Sequence, residues 1–203
     1  MAAQLGVFCG TFNPIHVGHL LIAEFAWDQF ELDKVIFIPN STPPHKNKDI
    51  LDKESRYELV QAAIANNEHF QISRIEMDRE GPSYTVDTLT QLKSQWGEDT
   101  QLNLIIGQDN LGYLTEWHDA PRLFKLCRIL VASRHLVKAP RQESDAELKA
   151  MAPPGANVEI IHFPDFPVSS SEIRNRLRAG GTVLYLVPPE VNHILLEKQH
   201  YVR

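Results

Sequence analysis

Alternation limits the fold of this chain more than any other feature. Short runs at Leu5–Phe8, Val35–Ile38, Phe70–Ile75, Leu102–Ile106, Ile129–Ala132 and Val158–Phe163 read as strands, several of them apolar on both faces. Between them, Val17–Phe30, Ser55–Ala65 and Thr85–Trp96 carry apolar residues at three- and four-residue steps, the period of a helix lying on a core. Ser169, Ser170, Ser171 and Glu172 fit a capping box opening a short helix that Gly180 and Gly181 close, and Pro188 and Pro189 begin a last one. A strand, helix, strand order repeated this often implies parallel pairing with right-handed crossovers. The expected fold is therefore α/β: a doubly wound, mostly parallel sheet with helices on both faces. The polar, proline-bearing stretch from His135 to Asn157 reads as a variable loop or short surface helix rather than a domain boundary, so residues 1–203 are expected to form a single domain.

Composition narrows the function classes. A chain of 203 residues buries roughly 70% of the surface it exposes when unfolded, enough for a core without disulfide staples. Hydrophobic residues at 43% and charged residues at 23% are ordinary for a globular protein and argue against disorder. A net charge of -6 leaves no long-range basic field for a nucleic-acid backbone, so an anionic ligand must be held by a local cluster of positive groups. The two cysteines, Cys9 and Cys127, have neither the number nor the spacing of a disulfide framework or a zinc site. The N-terminus lacks a basic segment followed by a long apolar run, and no stretch of about 18 apolar residues occurs. A cytoplasmic protein without nucleic-acid or membrane partners is expected; composition is silent on oligomeric state.

The stretch VFCGTFNPIHVGH, Val7 to His19, carries the chemistry. In an open parallel sheet, ligands bind beyond the carboxyl ends of the strands, where loops enter the following helices. Gly10 permits close backbone approach, Pro14 fixes the turn, and the first free N–H groups of the next helix suit phosphate. His16 and His19, three residues apart, lie on one helix face, with Gly18 leaving room for a nucleotide against the helix. The bland readings are a metal pair, which lacks partner ligands, and simple capping histidines. Cys9 reads better as a small buried side chain than as a nucleophile.

GTFNPIHVGH resembles the signature of nucleotidyltransferases with an H-x-G-H element. IPNSTPPHK (Ile38 to Lys46), GPSYTVDTL (Gly81 to Leu89), IIGQDNLGYLTEW (Ile105 to Trp117) and VSSSEIR (Val168 to Arg174) make the chain similar, in order and over nearly its whole length, to the bacterial nicotinate-mononucleotide adenylyltransferases. The resemblance implies a Rossmann-like nucleotidyltransferase fold. It also implies attack by the 5'-phosphate of nicotinate mononucleotide on the α-phosphorus of ATP, giving deamido-NAD and pyrophosphate without a covalent enzyme intermediate. Mg²⁺, held mostly by phosphates and water, is expected with ATP, with no protein metal ligand.

Residue roles follow from the same resemblance. His16, His19 and Arg174 would be catalytic, gripping the phosphates. Gly10, Thr11, Phe12, Gly18, Gly107, Asp109, Arg134, Ser169 and Ser170 would bind ATP, Asp109 at the ribose. Asn40 and Lys46 would serve the mononucleotide phosphate, and Thr85, Trp117 and His118 the pyridine ring, Trp117 by stacking and Thr85 and His118 through backbone N–H groups. Read locally, Trp117 is alternatively core, Thr85 an N-cap, Asp109 a helix cap, and Lys46 and Arg174 solvated cations. A phosphate oxygen about 4 Å away favours an imidazolium by ~4 kcal/mol at an effective dielectric of 20, against at most ~2 kcal/mol from the helix N-terminus, so at least one histidine is expected to be protonated with ATP bound.

Three positions depart from the family pattern. Cys9 stands where glycine is usual, Asn13 where aspartate is commoner, and His135 and Leu136 follow Arg134 where Pro-Gly is frequent. Related adenylyl- and cytidylyltransferases lack the SYT and Trp-bearing stretches. An aminoacyl-tRNA synthetase fragment would need a lysine-rich signature and a tRNA-binding domain. A sensor without turnover is the alternative outside enzymology.

Overall fold

The computed structural model describes residues 2–41, 49–133, 144–164 and 166–202. Among these, six strands form one all-parallel sheet: β1 (Gln4–Gly10), β2 (Lys34–Pro39), β3 (Phe70–Ile72), β4 (Gln101–Gly107), β5 (Cys127–Ala132) and β6 (Val158–Ile161), in the order β3-β2-β1-β4-β5-β6. The chain runs outward from β1 to β3, returns to the centre at β4, and runs outward the other way. β1 and β4 are therefore the adjacent strands at which the winding reverses, and their carboxyl ends open the crevice where ligands of such sheets bind.

Strand alternation sorts the core into two layers. Phe8, Val35, Phe37, Ile105 and Leu130 face α1 (Val17–Gln29), α2 (Lys53–Ile64), α6 (Ser170–Arg178) and α7 (Pro189–Glu197). Leu5, Val7, Ile36, Leu104 and Ile129 face the other layer, built on α3 (Thr85–Trp96), α4 (Ala120–Leu126) and α5 (Asp145–Ala150). The expected doubly wound sheet is thus present, and it is parallel throughout.

Four local differences have physical causes. β3 stops at Ile72 because the Arg74 carbonyl accepts from Met77 and Asp78 N–H, closing a turn. α2 begins two residues before Ser55 because Asp52 caps it, its carboxylate accepting from Ser55 N–H at 2.9 Å. A 3-10 helix at Gln108–Glu116 and the short α4 follow β4, where glycine and mixed polarity blur any period. Within the stretch expected to be variable, α5 is opened by a capping box in which Ser144 and Glu147 exchange hydrogen bonds. Gly180 ends α6 at φ 72°, as its placement in the sequence requires.

Candidate active site

The loop from Gly10 to His16 leaves β1 at the reversal point. Its glycines are needed, but largely for the protein's own side chains. A Cβ at Gly10 would sit 3.0 Å from the Phe12 ring, and one at Gly18 would meet Val168 Cγ1 at 2.9 Å and the His16 ring at 3.1 Å. On the side where a Cβ would stand, this packing leaves no room beside Gly18. Phe12 is 3% exposed, so its ring belongs to the core and only its backbone can serve a ligand. That ring lies edge-on to His19, with centroids 5.2 Å apart, and so helps fix the imidazole.

His16 and His19 do converge. Their rings stack with centroids 3.7 Å apart and planes 29° from parallel. His16 is the N-cap of α1 and is buried, whereas His19, in the first turn, is half-buried. His16 N–H donates to His19 Nδ1 at 3.3 Å. This is the backward reach that a glutamate makes in an ordinary capping box, carried out by a ring without negative charge. With Nδ1 accepting, the neutral His19 carries its proton on Nε2, the donor geometry a phosphate oxygen needs. The first turn of α1 contains no acidic residue.

α6 delivers the remaining predicted phosphate ligands to the same loop. Ser169 caps it, accepting from Glu172 N–H at 3.2 Å, which is the forward half of the expected capping box. Ser170 Oγ donates to the Pro14 carbonyl at 2.9 Å, and Arg174 Nη1 to the Asn13 carbonyl at 2.8 Å, so Arg174 is tied down rather than solvated. Asn13, 6% exposed, faces away from any ligand: its amide donates to the Asp49 carbonyl at 2.8 Å and its Oδ1 accepts from Leu51 N–H and Tyr201 OH. A carboxylate could not make the first of these bonds. Burial pushes the Tyr201 hydroxyl well above its ordinary value, so it remains a donor.

Beside the loop lies a cavity of about 580 Å³. Gly10, Thr11, Asn40, Thr85, Trp117 and His118, assigned from the sequence, all line it. Trp117 also packs on the second core layer, so its reading as a core residue holds, and its place in the cavity lining is compatible with the stacking role. His118 is exposed and stacks on Tyr84, centroids 4.1 Å apart. Thr85 does not cap α3; Tyr84 occupies the N-cap without a side-chain hydrogen bond, leaving this helix start open toward the cavity. Cys9 is only partly buried, and burial together with neighbouring Glu76 raises its thiol well above the ordinary value, which keeps it protonated and a poor nucleophile.

Gly107 N-caps the 3-10 helix, and a Cβ there would lie 2.5 Å from Asp109 Oδ1; the glycine makes way for this carboxylate. Asp109 is exposed within the first turn and is not a cap. Lys46 and Arg134 lie outside the described residues. Sequence reasoning missed Glu76, 2% exposed, lining the cavity and accepting from Thr88 Oγ1 at 2.8 Å, and Arg56, a buried guanidinium of α2 bonded to Thr11 and Asn40. Among the described residues no group of three or more His, Cys, Asp or Glu converges on a metal-sized point, and no helix is long and apolar enough to cross a membrane.

The cytidylyltransferase-like family model matches residues 7–176. A probable nicotinate-nucleotide adenylyltransferase of Thermoanaerobacter sp. (strain X514) is 40% identical over 200 residues, 98% of this chain and 94% of that protein. The chain belongs to the nicotinate-nucleotide adenylyltransferase family. A family member of the same name from Dehalococcoides mccartyi (strain CBDB1) is 38% identical over 205 residues, covering all of this chain and 99% of its own length. The fold also matches the Plasmodium falciparum nicotinic acid mononucleotide adenylyltransferase complexed with NaAD, at TM-score 0.79 and 15% identity over 98% of this chain and 97% of that one. Family membership makes this chain a nucleotidyltransferase of NAD biosynthesis.

Proposed function

We propose that this chain transfers the adenylyl group of ATP to nicotinate mononucleotide, giving deamido-NAD and pyrophosphate. One observation carries the reading: a single short loop, 10–16, runs from an aromatic-walled cavity of about 580 Å³, which Gly10 and Thr11 line, to a helix start carrying two stacked imidazoles. Two nucleotides held at the two ends of that loop bring a 5'-phosphate up to an α-phosphorus.

The reaction forms one P–O bond to the attacking phosphate and breaks the bond to pyrophosphate in line. No enzyme nucleophile is required, in keeping with the protonated Cys9. Alignment accounts for roughly 7 to 11 kcal/mol of barrier lowering in such reactions, and each well-placed donor to developing charge for about 3 to 4 kcal/mol. The Gly18 N–H at the start of α1, His19 Nε2–H and Arg174 supply those donors, with His16 beneath them as a stacked support. At least one of the two imidazoles takes up a proton with ATP bound, the nearby phosphate charge outweighing the helix start. Mg²⁺ would accompany ATP, held mostly through phosphate oxygens and water as this ion prefers, and would offset phosphate charge there. The open start of α3 meets the pyridine carboxylate, where N–H donors and the helix dipole favour an anion over an amide. Asp109 serves the adenosine ribose.

Pyrophosphate release with ATP, Mg²⁺ and nicotinate mononucleotide tests the proposal; no release above background defeats it. Trp117→Ala should raise the KM for the mononucleotide roughly tenfold or more, as loss of one stacked ring does, while sparing that for ATP. Equal losses for both substrates would remove the stacking role.

A further inference from the structure

Arg56 has no place in the chemistry above, yet it is among the most buried side chains of the protein, at 1% exposure. A buried guanidinium is costly unless every N–H is matched, and a carboxylate partner is the usual solution. Here the matching is complete without one. Nε donates to the Leu51 carbonyl at 3.1 Å, Nη1 to the Thr11 carbonyl at 2.9 Å and Asn40 Oδ1 at 3.1 Å, and Nη2 to the Asn40 and Ser41 carbonyls at 2.7 and 3.0 Å. All five donors of the group are therefore used, on neutral oxygens. No described carboxylate forms an ion pair with it.

The acceptors share a location. Thr11 follows β1, and Asn40 and Ser41 follow β2, so one planar cation ties together the carboxyl ends of two neighbouring strands. It also sets the Asn40 amide: with Oδ1 turned back to Arg56, Nδ2 points to Thr11 Oγ1 at 3.2 Å, along the wall of the cavity that both residues line. An unneutralised positive charge behind that wall favours an anion in front of it, and the fixed amide leaves one N–H free to meet it.

We infer that Arg56 is a positioning residue for the mononucleotide: it locks the Thr11–Asn40 wall and supplies a fixed positive charge behind the place where the mononucleotide phosphate lies. Arg56 acts through Asn40 and Thr11 and touches no substrate. The inference rests on the function proposed above.

Arg56→Lys and Arg56→Met separate charge from geometry. Lysine keeps the charge but offers three donors on a point instead of five in a plane. In protein that melts cooperatively, Arg56→Lys should raise the KM for nicotinate mononucleotide roughly tenfold, because a displacement of about 1 Å at a positioning contact has large kinetic cost, with the KM for ATP within about twofold. Arg56→Met should raise it further and flatten the dependence of that KM on salt, as a lost fixed charge does. Folded variants with an unchanged mononucleotide KM, or with both KM values raised alike, overturn the inference. So do variants that never fold, which would assign Arg56 to the fold alone. A wild-type protein that releases no pyrophosphate with the mononucleotide defeats the proposed function instead, so the two failures are distinguishable.

Discussion

α1 and α2 begin within a few residues of the same buried hub, Asn13, and solve the same electrostatic problem in opposite ways. Both helix starts expose N–H groups and the positive end of a helix dipole. α2 neutralises its own start with a carboxylate: Asp52 accepts from Ser55 N–H and Ser55 Oγ, and these bonds hold its pKa below the ordinary value. α1 closes its start with His16, His19 and the Leu186 carbonyl, which accepts from Val17 N–H at 3.1 Å, and has no acid in its first turn to offset the dipole. A helix whose dipole is already satisfied is a structural part. In the function proposed above, a helix start whose dipole meets no acid of its own receives the substrate's phosphates, and rings that carry no negative charge hold it together meanwhile.

His19→Glu is the severest way to break this contrast. It turns the start of α1 into an ordinary capping box, glutamate reaching back to the His16 N–H, so folding is retained and Tm stays within a few degrees. Losing one donor to the developing charge costs about 10²–10³ in kcat, and a carboxylate aimed at the polyphosphate adds repulsion, so a loss of at least roughly 10³ in kcat/KM for ATP is expected. Steady-state kinetics beside a melting curve read both effects. Near-normal turnover would show that the open helix start is not where ATP binds.

Gly18→Ala sharpens the comparison less drastically. The added methyl collides with Val168 Cγ1 and the His16 ring, both in packed surroundings, so a stability loss of about 1–3 kcal/mol is expected from overpacking. Since the same collision displaces His16 from its stack on His19, kcat should fall as well. A variant that loses stability and keeps kcat would separate the ring stack from catalysis.

These helix starts also show what was legible in the sequence. The spacing of His16 and His19 announced that the two rings converge at the turn after β1, and the six strand runs, with Thr85–Trp96 given to the residue, announced the sheet and its crevice. What Gly10 and Gly18 make room for was hidden, because Phe12 and Val168 approach them only in the folded chain. Arg56 was hidden for a different reason. In ESRYELV it reads as one more polar helix residue, and its partners are mainly backbone carbonyls, which leave no trace in side-chain identity. Asn13 read only as a departure from the commoner aspartate, and the reason is tertiary: its amide is turned into the protein, where it donates to the Asp49 carbonyl. The 3-10 helix after β4 escaped because its period is neither that of a strand nor of an α-helix.

The smallest effect comes from the closed helix start. Asp52→Ala removes the cap of α2, which at neutral pH should cost about 1 kcal/mol, and it should leave kcat and both KM values unchanged because Asp52 serves only its own helix. Its pH dependence has a definite sign. The folded-state pKa of Asp52 lies below the unfolded value, so the charged cap contributes fully above the unfolded value of about 3.9 and its contribution fades as pH falls through the folded value. The wild-type and variant stabilities should therefore differ most at pH 6–7, a range roughly two units above that value, and converge below about pH 4. A protonated carboxyl still accepts a hydrogen bond, so a remnant of the gap persists in acid. Urea unfolding of both proteins at several pH values measures the convergence. A gap that widened in acid would mean that Asp52 is charged at a cost in the folded protein, and that the start of α2 is no more neutralised than the start of α1.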